Sequence, residues 1–251
     1  MGFDTLDFGS FVSPKAIPQL RDTAEVLEKL DLSTTTKLLA IVANLRGAMD
    51  ALAFDQIDYL GFPLSVSETF QQRNTNKSII EATETVKAIQ DECKKRDKEL
   101  VVYLSMGFGN PYGDPYSTSI ISDFIGKLND MGIGIVSIAD TVGAADPALI
   151  GNVLADSCKQ YPDVEIGAHL HSAPQGVRPA VEAALKAGVT RIDGALLGYG
   201  GCPMAEDDLV GNVATEQIIS LAKERNFDIA INNEALNEAR VLASKLFGTY
   251  R

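Results

Sequence analysis

The sequence predicts an α/β fold of the (β/α)8 barrel type, a TIM barrel. Three observations predict it. Short apolar runs of β character alternate with longer amphipathic stretches over the whole chain, in units of roughly 20 to 45 residues, the pattern of parallel strands joined by crossover helices. No glycine-rich turn follows an early strand, as an open nucleotide-binding sheet would show. Polar residues gather just after several different strands, where barrels place their sites.

In chain order, FDTLDF (3–8) reads as a strand, followed by the helical stretch IPQLRDTAEVLEKL. TKLLAIV (36–42) is the next strand, with LRGAMDALAF behind it. IDYLGF (57–62) precedes SIIEATETVKAIQDECKKR, and ELVVYLS (99–105) precedes STSIISDFIGKLNDMG. IGIVSIA (133–139) leads to PALIGNVLADSCKQY, and VEIGAHL (164–170) to PQGVRPAVEAALKAG. TRIDGAL (190–196) is the last strand, and TEQIISLAKER and NEALNEARVLASKLF follow as helices. Each helical stretch spaces its apolar residues by three and four. Gly132 and Gly188 close two of them with C-cap chemistry. Seven strands are readable where the fold wants eight. No linker, low-complexity segment or shift in composition divides the chain, so 1–251 reads as one domain.

The chain has 251 residues, 45% hydrophobic and 22% charged, which suits a globular domain with a substantial core. Its net charge of −12 repels phosphate backbones and argues against a nucleic-acid partner. An anionic small substrate stays open, because a local cation can outweigh the global charge. No apolar run reaches the length of a membrane span, and MGFDTLDFGSF lacks the basic and apolar regions of a signal peptide. After Met-Gly, Leu6 stands where a myristoylation signal wants Ser or Thr. The three cysteines, Cys93, Cys158 and Cys202, are too few and too scattered for a disulfide scaffold and point to a reducing, cytoplasmic setting.

GAHLHSAP (167–174) carries the strongest chemical signal. The chain's two histidines, His169 and His171, both lie here. Two residues apart on a strand, they point to one face, a geometry suited to a divalent metal. The alternative is a pair of hydrogen-bonded core histidines. GYGGCPMAEDDLVGNVATE (198–216) follows the last strand. Gly198, Gly200 and Gly201 fit a flexible loop that closes over substrate, with Cys202 at its tip as a proton donor or acceptor, or a nucleophile. The alternative for Cys202 is a small residue in a tight turn. Asn212 could give an amide oxygen to the metal, or cap the helix that follows. Asp140, at a strand end, could orient a histidine, bind substrate or take a proton, or simply hold an Asx turn. Asp7, within the first strand, has the same chemical options. Lys15 could bind an anionic tail or be a solvated lysine. The Gly- and Pro-rich loop LSMGFGNPYGDPYS (104–117) could shape a pocket, and no GK[ST] follows to make it a phosphate loop.

With these pieces in order, the chain resembles the 3-hydroxy-3-methylglutaryl-CoA lyase family, within the wider group of metal-dependent barrel lyases and condensing enzymes. The matching motifs are SFVSPKAIPQ (10–19), SIADTVG (137–143), the HLH of GAHLHS, and the cysteine loop GYGGCPMAEDDLVGNVATE, in the family's order over almost the whole chain. The resemblance implies a (β/α)8 barrel, a Mg²⁺ or Mn²⁺ ion, and cleavage of hydroxymethylglutaryl-CoA to acetyl-CoA and acetoacetate, as in leucine degradation and ketone-body formation. It implies His169, His171 and Asn212 as metal ligands. It implies Cys202, Asp140 and His169 as catalytic residues. Asp7, Lys15 and Ser137 then become substrate-binding residues, with a homodimer as the assembly. Asp7 stands where these lyases usually carry glutamate.

One departure is large. The family begins with a strand ending in an Arg-Asp pair, and the chain starts at what reads as the second strand. Arg21–Asp22 lies in a helical stretch and is not that pair. The expectation is that the first strand and helix, about thirty residues, are missing. Weak metal binding, an open barrel and little activity would follow, and association could cover the exposed edges. Leu170, SAPQG, GFPLSVSETFQQRN and LSMGFGNPYGDPY look like a bacterial-type branch. The competing readings are an isopropylmalate- or citramalate-synthase type of condensing enzyme, a hydroxy-oxoacid aldolase, and an inactive barrel. The GGCP loop separates the lyase from the first two.

Overall fold

A computed structural model describes residues 1–201 and 210–248. Seven parallel strands form one sheet in chain order: β1 (Thr5–Ser10), β2 (Lys37–Ile41), β3 (Tyr59–Ser65), β4 (Glu99–Ser105), β5 (Ile135–Asp140), β6 (Glu165–Leu170) and β7 (Arg191–Asp193). The helices between and after them are α1 (Thr23–Lys29), α2 (Leu45–Ala51), α3 (Glu68–Thr75), α4 (Ile79–Lys95), α5 (Thr118–Asp130), α6 (Pro147–Gln160), α7 (Val177–Ala187), α8 (Thr215–Glu224) and α9 (Asn233–Phe247).

Local chemistry marks the helix ends. Ser78 and Glu81 make a capping box on α4. Ser117 caps α5, and Asp146 caps α6 just ahead of Pro147. At the end of α5, Gly132 takes a φ of 77° and its N–H bonds to Asn129, while Ile133 N–H bonds back to Leu128. This is a Schellman turn, and the buried Leu128 and Ile133 are its hydrophobic contact.

The sheet curls. Six strand spacings of about 4.8 Å would hold the edges of a flat sheet roughly 29 Å apart. Instead Asp7 on β1 feels the charge of Asp193 on β7, and the Arg191 guanidinium on β7 lies 5.5 Å from the ring centre of Tyr59 on β3. Side chains alternate between two layers. The outer layer is the large core between sheet and helices, with Phe62, Leu64, Val102, Ile138 and Ala168 fully or almost fully buried against α4, α5, α6 and α7. The inner layer is small: Leu39, Tyr59, Val101 and Ile135, with Ile41 and Tyr103 packed on them. It fills the floor of the curl, and polar residues line the upper end.

The seven expected strands are the seven observed. Arg21 and Asp22 sit at the start of α1, as the helical reading required. Three differences have local causes. β1 begins two residues later than expected, and its register with β2 shifts between Asp7 and Gly9. β7 stops at Asp193, because Gly194 leads into a 3-10 turn at Leu196–Gly198 in which Leu197 has a φ of 58°. α3 was not foreseen: its only large apolar residue is Phe70, and polar contacts hold it. Ser67 caps it, and the Asp114 carboxylate accepts from Thr69 N–H at 2.9 Å.

The two layers make different stability predictions. Phe62→Ala, in the outer core, should cost about 3–5 kcal/mol. Leu6→Ala, on the half-open β1, should stay within about 0.5 kcal/mol. Urea unfolding midpoints of the two variants check the contrast.

Candidate metal centre

The upper end of the curl is built by β5, β6, β7 and the segment returning at Val210. His169 pairs in register with Ala139 on β5 and Asp193 on β7. His171 follows the end of β6 and forms an isolated antiparallel bridge with Asn212. The two imidazoles face each other with Nε2 atoms 3.2 Å apart.

The other nitrogen of each ring is taken. His171 Nδ1 lies 3.1 Å from the Val210 carbonyl, and His169 Nδ1 lies 3.2 Å from Asp193 Oδ2. A carbonyl only accepts, so His171 carries its hydrogen on Nδ1 and offers a lone pair at Nε2. An ionised Asp193 imposes the same on His169. Two lone pairs facing each other across 3.2 Å are favourable only with a cation between them. Two nitrogens each about 2.1 Å from one six-coordinate Mg²⁺, at right angles, would lie about 3.0 Å apart. The pair therefore fits a divalent ion. Burial and the neighbouring His169 push the His171 pKa down, against the opposing Val210 contact, and so favour the neutral ring that a metal ligand needs.

Asn212 does not cap α8, whose N-cap is Ala214 with no side-chain bond. Its amide nitrogen donates to the Tyr199 carbonyl at 2.9 Å, and bridge pairing sets its side chain on the same side as that of His171. Among the described residues no third His, Cys, Asp or Glu completes a metal cluster. The donor set there is two imidazoles with an amide beside them.

Asp7 keeps accessible surface yet is enclosed by protein on most sides, as a residue lining a crevice is. That enclosure, with the Asp193 charge adding to it, pushes its carboxyl up to about 7, against the opposing pull of the Gly9 backbone and His169. Tyr103 sets its ring edge-on to His169 with centroids 5.6 Å apart.

Other expected site residues fall elsewhere. Asp140, expected to be catalytic, lies apart from the histidine pair. Strand alternation turns it to the helix side with Val136 and Ile138, and its two carboxylate oxygens accept from Ala144 and Ala145 N–H at 3.2 and 3.1 Å. It holds an Asx-type turn. Ser137 is fully buried and donates to Asp193 at 3.1 Å, so its hydroxyl faces the carboxylate rather than open space. Lys15 is exposed on the turn after β1, where Ser13 Oγ accepts from its backbone N–H. Cys202 lies outside the described residues. Gly198 and Gly200 have φ values of 69° and 87°, and a Cβ on Gly198 would meet the Asn212 carbonyl at 2.8 Å. These glycines allow close packing of backbone on backbone. Sequence reasoning missed Asp193, whose strand-end position in TRIDG was the available signal. It also missed Tyr103 and the Val210 carbonyl.

The HMGL-like family model matches residues 3–242. The chain belongs to the HMGL-like family. It is 32% identical over 238 residues to hydroxymethylglutaryl-CoA lyase YngG of Bacillus subtilis, covering 95% of this chain and 79% of that protein. It is 29% identical to the mitochondrial hydroxymethylglutaryl-CoA lyase of Macaca fascicularis, covering 95% of this chain and 73% of that protein. The HMG-CoA lyase structure from Bacillus subtilis superposes with a TM-score of 0.90 at 32% identity, over 98% of this chain and 82% of that one. The HMG-CoA lyase from Acinetobacter baumannii, solved with coenzyme A and 3-methylmalate, gives 0.89 at 27% identity, over 99% and 80%. No helix among the described residues is long and apolar enough to cross a membrane.

Asp7 gives a pH test. Its carboxyl ionises near 3.8 when unfolded and near 7 in the folded, metal-free protein. The folded state therefore binds more protons between those values, and stability falls as pH rises through about 7. In chelator, Asp7→Asn should melt above the parent at about pH 8.5 and level with it at about pH 3.5. A difference that does not change with pH would show that Asp7 is not enclosed.

Proposed function

We propose that this member of the HMGL-like family cleaves 3-hydroxy-3-methylglutaryl-CoA, or a close 3-hydroxyacyl-CoA, to acetyl-CoA and a 3-oxoacid. The observation that carries this reading is the converging imidazole pair at the upper end of the curled sheet, in a chain whose relatives bear the lyase name. His169, His171 and Asn212 would hold a Mg²⁺ or Mn²⁺ ion. When bound, that ion supplies Lewis acidity that lowers the pKa of the substrate's tertiary hydroxyl.

The chain's residues do the rest. Asp7, with its pKa near neutrality, suits a base that takes the hydroxyl proton. The O–H electron pair becomes the new carbonyl, the C2–C3 bond breaks, and its electrons leave as the enolate of acetyl-CoA. Cys202 returns a proton to that enolate carbon. Ser137 and Asp193 hold His169 in place. Lys15, exposed beyond β1, suits the anionic end of coenzyme A.

The accompanying fold is of the (β/α)8 barrel type, with β1 and β7 facing each other across its opening. Both are unpaired edges among the described residues, and Asp7 and Asp193 face each other's charge across the seam. A homodimer and a reducing, cytoplasmic setting complete the reading. Val241, Leu242, Leu246 and Phe247, exposed on the end of α9, support the first, and the free Cys93 and Cys158 the second.

The test is a coupled assay for acetyl-CoA release from hydroxymethylglutaryl-CoA with Mn²⁺. Activity should rise with pH along a limb at or below about 7, since the base must be ionised and a bound cation lowers its pKa. Cys202→Ala should lower kcat about 10²–10⁴-fold. His171→Ala should abolish both Mn²⁺ binding and acetyl-CoA release. Mn²⁺ binding without any acetyl-CoA release, in this chain and in one carrying an added Arg-Asp strand, would overturn the substrate.

A further inference from the structure

We propose that Asp193, held by Ser137 through a window at Gly167, is a positioning residue that sets which nitrogen of His169 carries the hydrogen. The inference rests on the metal reading of the histidine pair for its consequence, though not for its geometry. Asp193 lies next to His169 in register, and its Oδ2 receives both His169 Nδ1, at 3.2 Å, and the Ser137 hydroxyl, at 3.1 Å.

Ser137 stands on β5 and Asp193 on β7, with β6 between them. Two strand spacings are about 9.6 Å, which two short side chains cannot span over an occupied middle strand. Gly167 occupies the middle strand, in register with Ser137 on one side and Arg191 on the other. A Cβ there would stand 3.2 Å from both Ser137 Oγ and Arg191 Cδ. The missing side chain is what lets the serine reach across the inner face of the sheet. The hydroxyl fills one acceptor direction of Oδ2 and leaves the next for the imidazole, so the carboxylate cannot swing away from His169.

The outcome is a fixed tautomer. An ionised carboxylate accepts only, so Nδ1 carries the hydrogen and the Nε2 lone pair is aimed at His171. Asn in place of Asp193 has nearly the same shape but can offer its NH₂ to Nδ1. His169 would then move its hydrogen to Nε2, where it blocks the metal position. The variant that preserves shape is therefore the damaging one.

Nitrogen-15 NMR of the metal-free protein at about pH 8 reads the tautomer directly, and Mn²⁺ titration reads its effect. The parent should show His169 protonated on Nδ1. Asp193→Asn should shift it to Nε2 and weaken Mn²⁺ by about 10–100-fold, with an unchanged circular dichroism spectrum. Ser137→Ala should weaken Mn²⁺ less and leave the Nδ1 tautomer the major one. An Asp193→Asn protein that folds, keeps the Nδ1 tautomer and binds Mn²⁺ as the parent does would overturn the inference. A parent that binds no Mn²⁺ would overturn the metal reading instead, while the NMR result still decides the role of Asp193. If Asp193→Asn fails to fold, a parent already protonated on Nε2 would overturn the inference by itself.

Discussion

His169 and His171 hold their Nε2 atoms 3.2 Å apart, and the Nδ1 of each ring is turned to an oxygen behind it. Two like lone pairs at that separation are unfavourable alone and favourable around a cation. Much of the surrounding structure serves to keep them there. β6 brings both rings to one face by strand alternation. The Val210 carbonyl holds one ring from behind, and Asp193 holds the other. The outer core of Phe62, Ile138 and Ala168 gives the sheet the rigidity that this opposition requires.

Electrostatics explain why the opening of the curl can be rich in carboxylates without falling apart. Asp140 faces the helices, where burial raises its pKa against the opposing pull of the backbone N–H groups that its carboxylate accepts from. Asp193 stands beside His169 and accepts from a serine hydroxyl. Asp7 meets that charge from the opposite edge, and its own pKa rises to about 7. Three acidic side chains in one neighbourhood thus have three different roles, set by orientation and not by residue type. A bound cation would lower the cost of ionising Asp7 and strengthen the hold of Asp193 on His169 at the same time.

The strand count and the histidine pair were legible in the sequence because both depend on local pattern. β-type runs and helical spacing repeat along the chain, and two residues on a strand share a face whatever the fold. Which way Asp140 and Asp193 face was not legible, because that depends on register between strands distant in sequence. Both stand at strand ends in motifs that look alike, SIAD and TRID. Only the facing of each strand separates a turn-forming aspartate from one that meets His169. Gly167 was hidden for the same reason: its function is to leave space between β5 and β7, and no pattern within β6 reveals that. α3 escaped because it is held by Ser67, Gln71 and Asp114 rather than by an apolar stripe.

The glycines around 200 show how one composition can carry two physical meanings. Read as sequence, Gly198, Gly200 and Gly201 suggest freedom of movement. In the structure, Gly198 and Gly200 take left-handed conformations, Gly198 approaches the Asn212 carbonyl so closely that a side chain would not fit, and a Cβ on Gly201 would press on the Val210 carbonyl. Gly211 makes the reciprocal approach to the Gly198 carbonyl. This packing has a chemical consequence. It places Val210 where its carbonyl meets His171 Nδ1, and Asn212 where it bridges to His171. The stems of the segment that carries Cys202 are therefore the same backbone that fixes the tautomer of one histidine. A shift of Val210 would remove the acceptor behind His171 Nδ1 and with it the aim of Nε2.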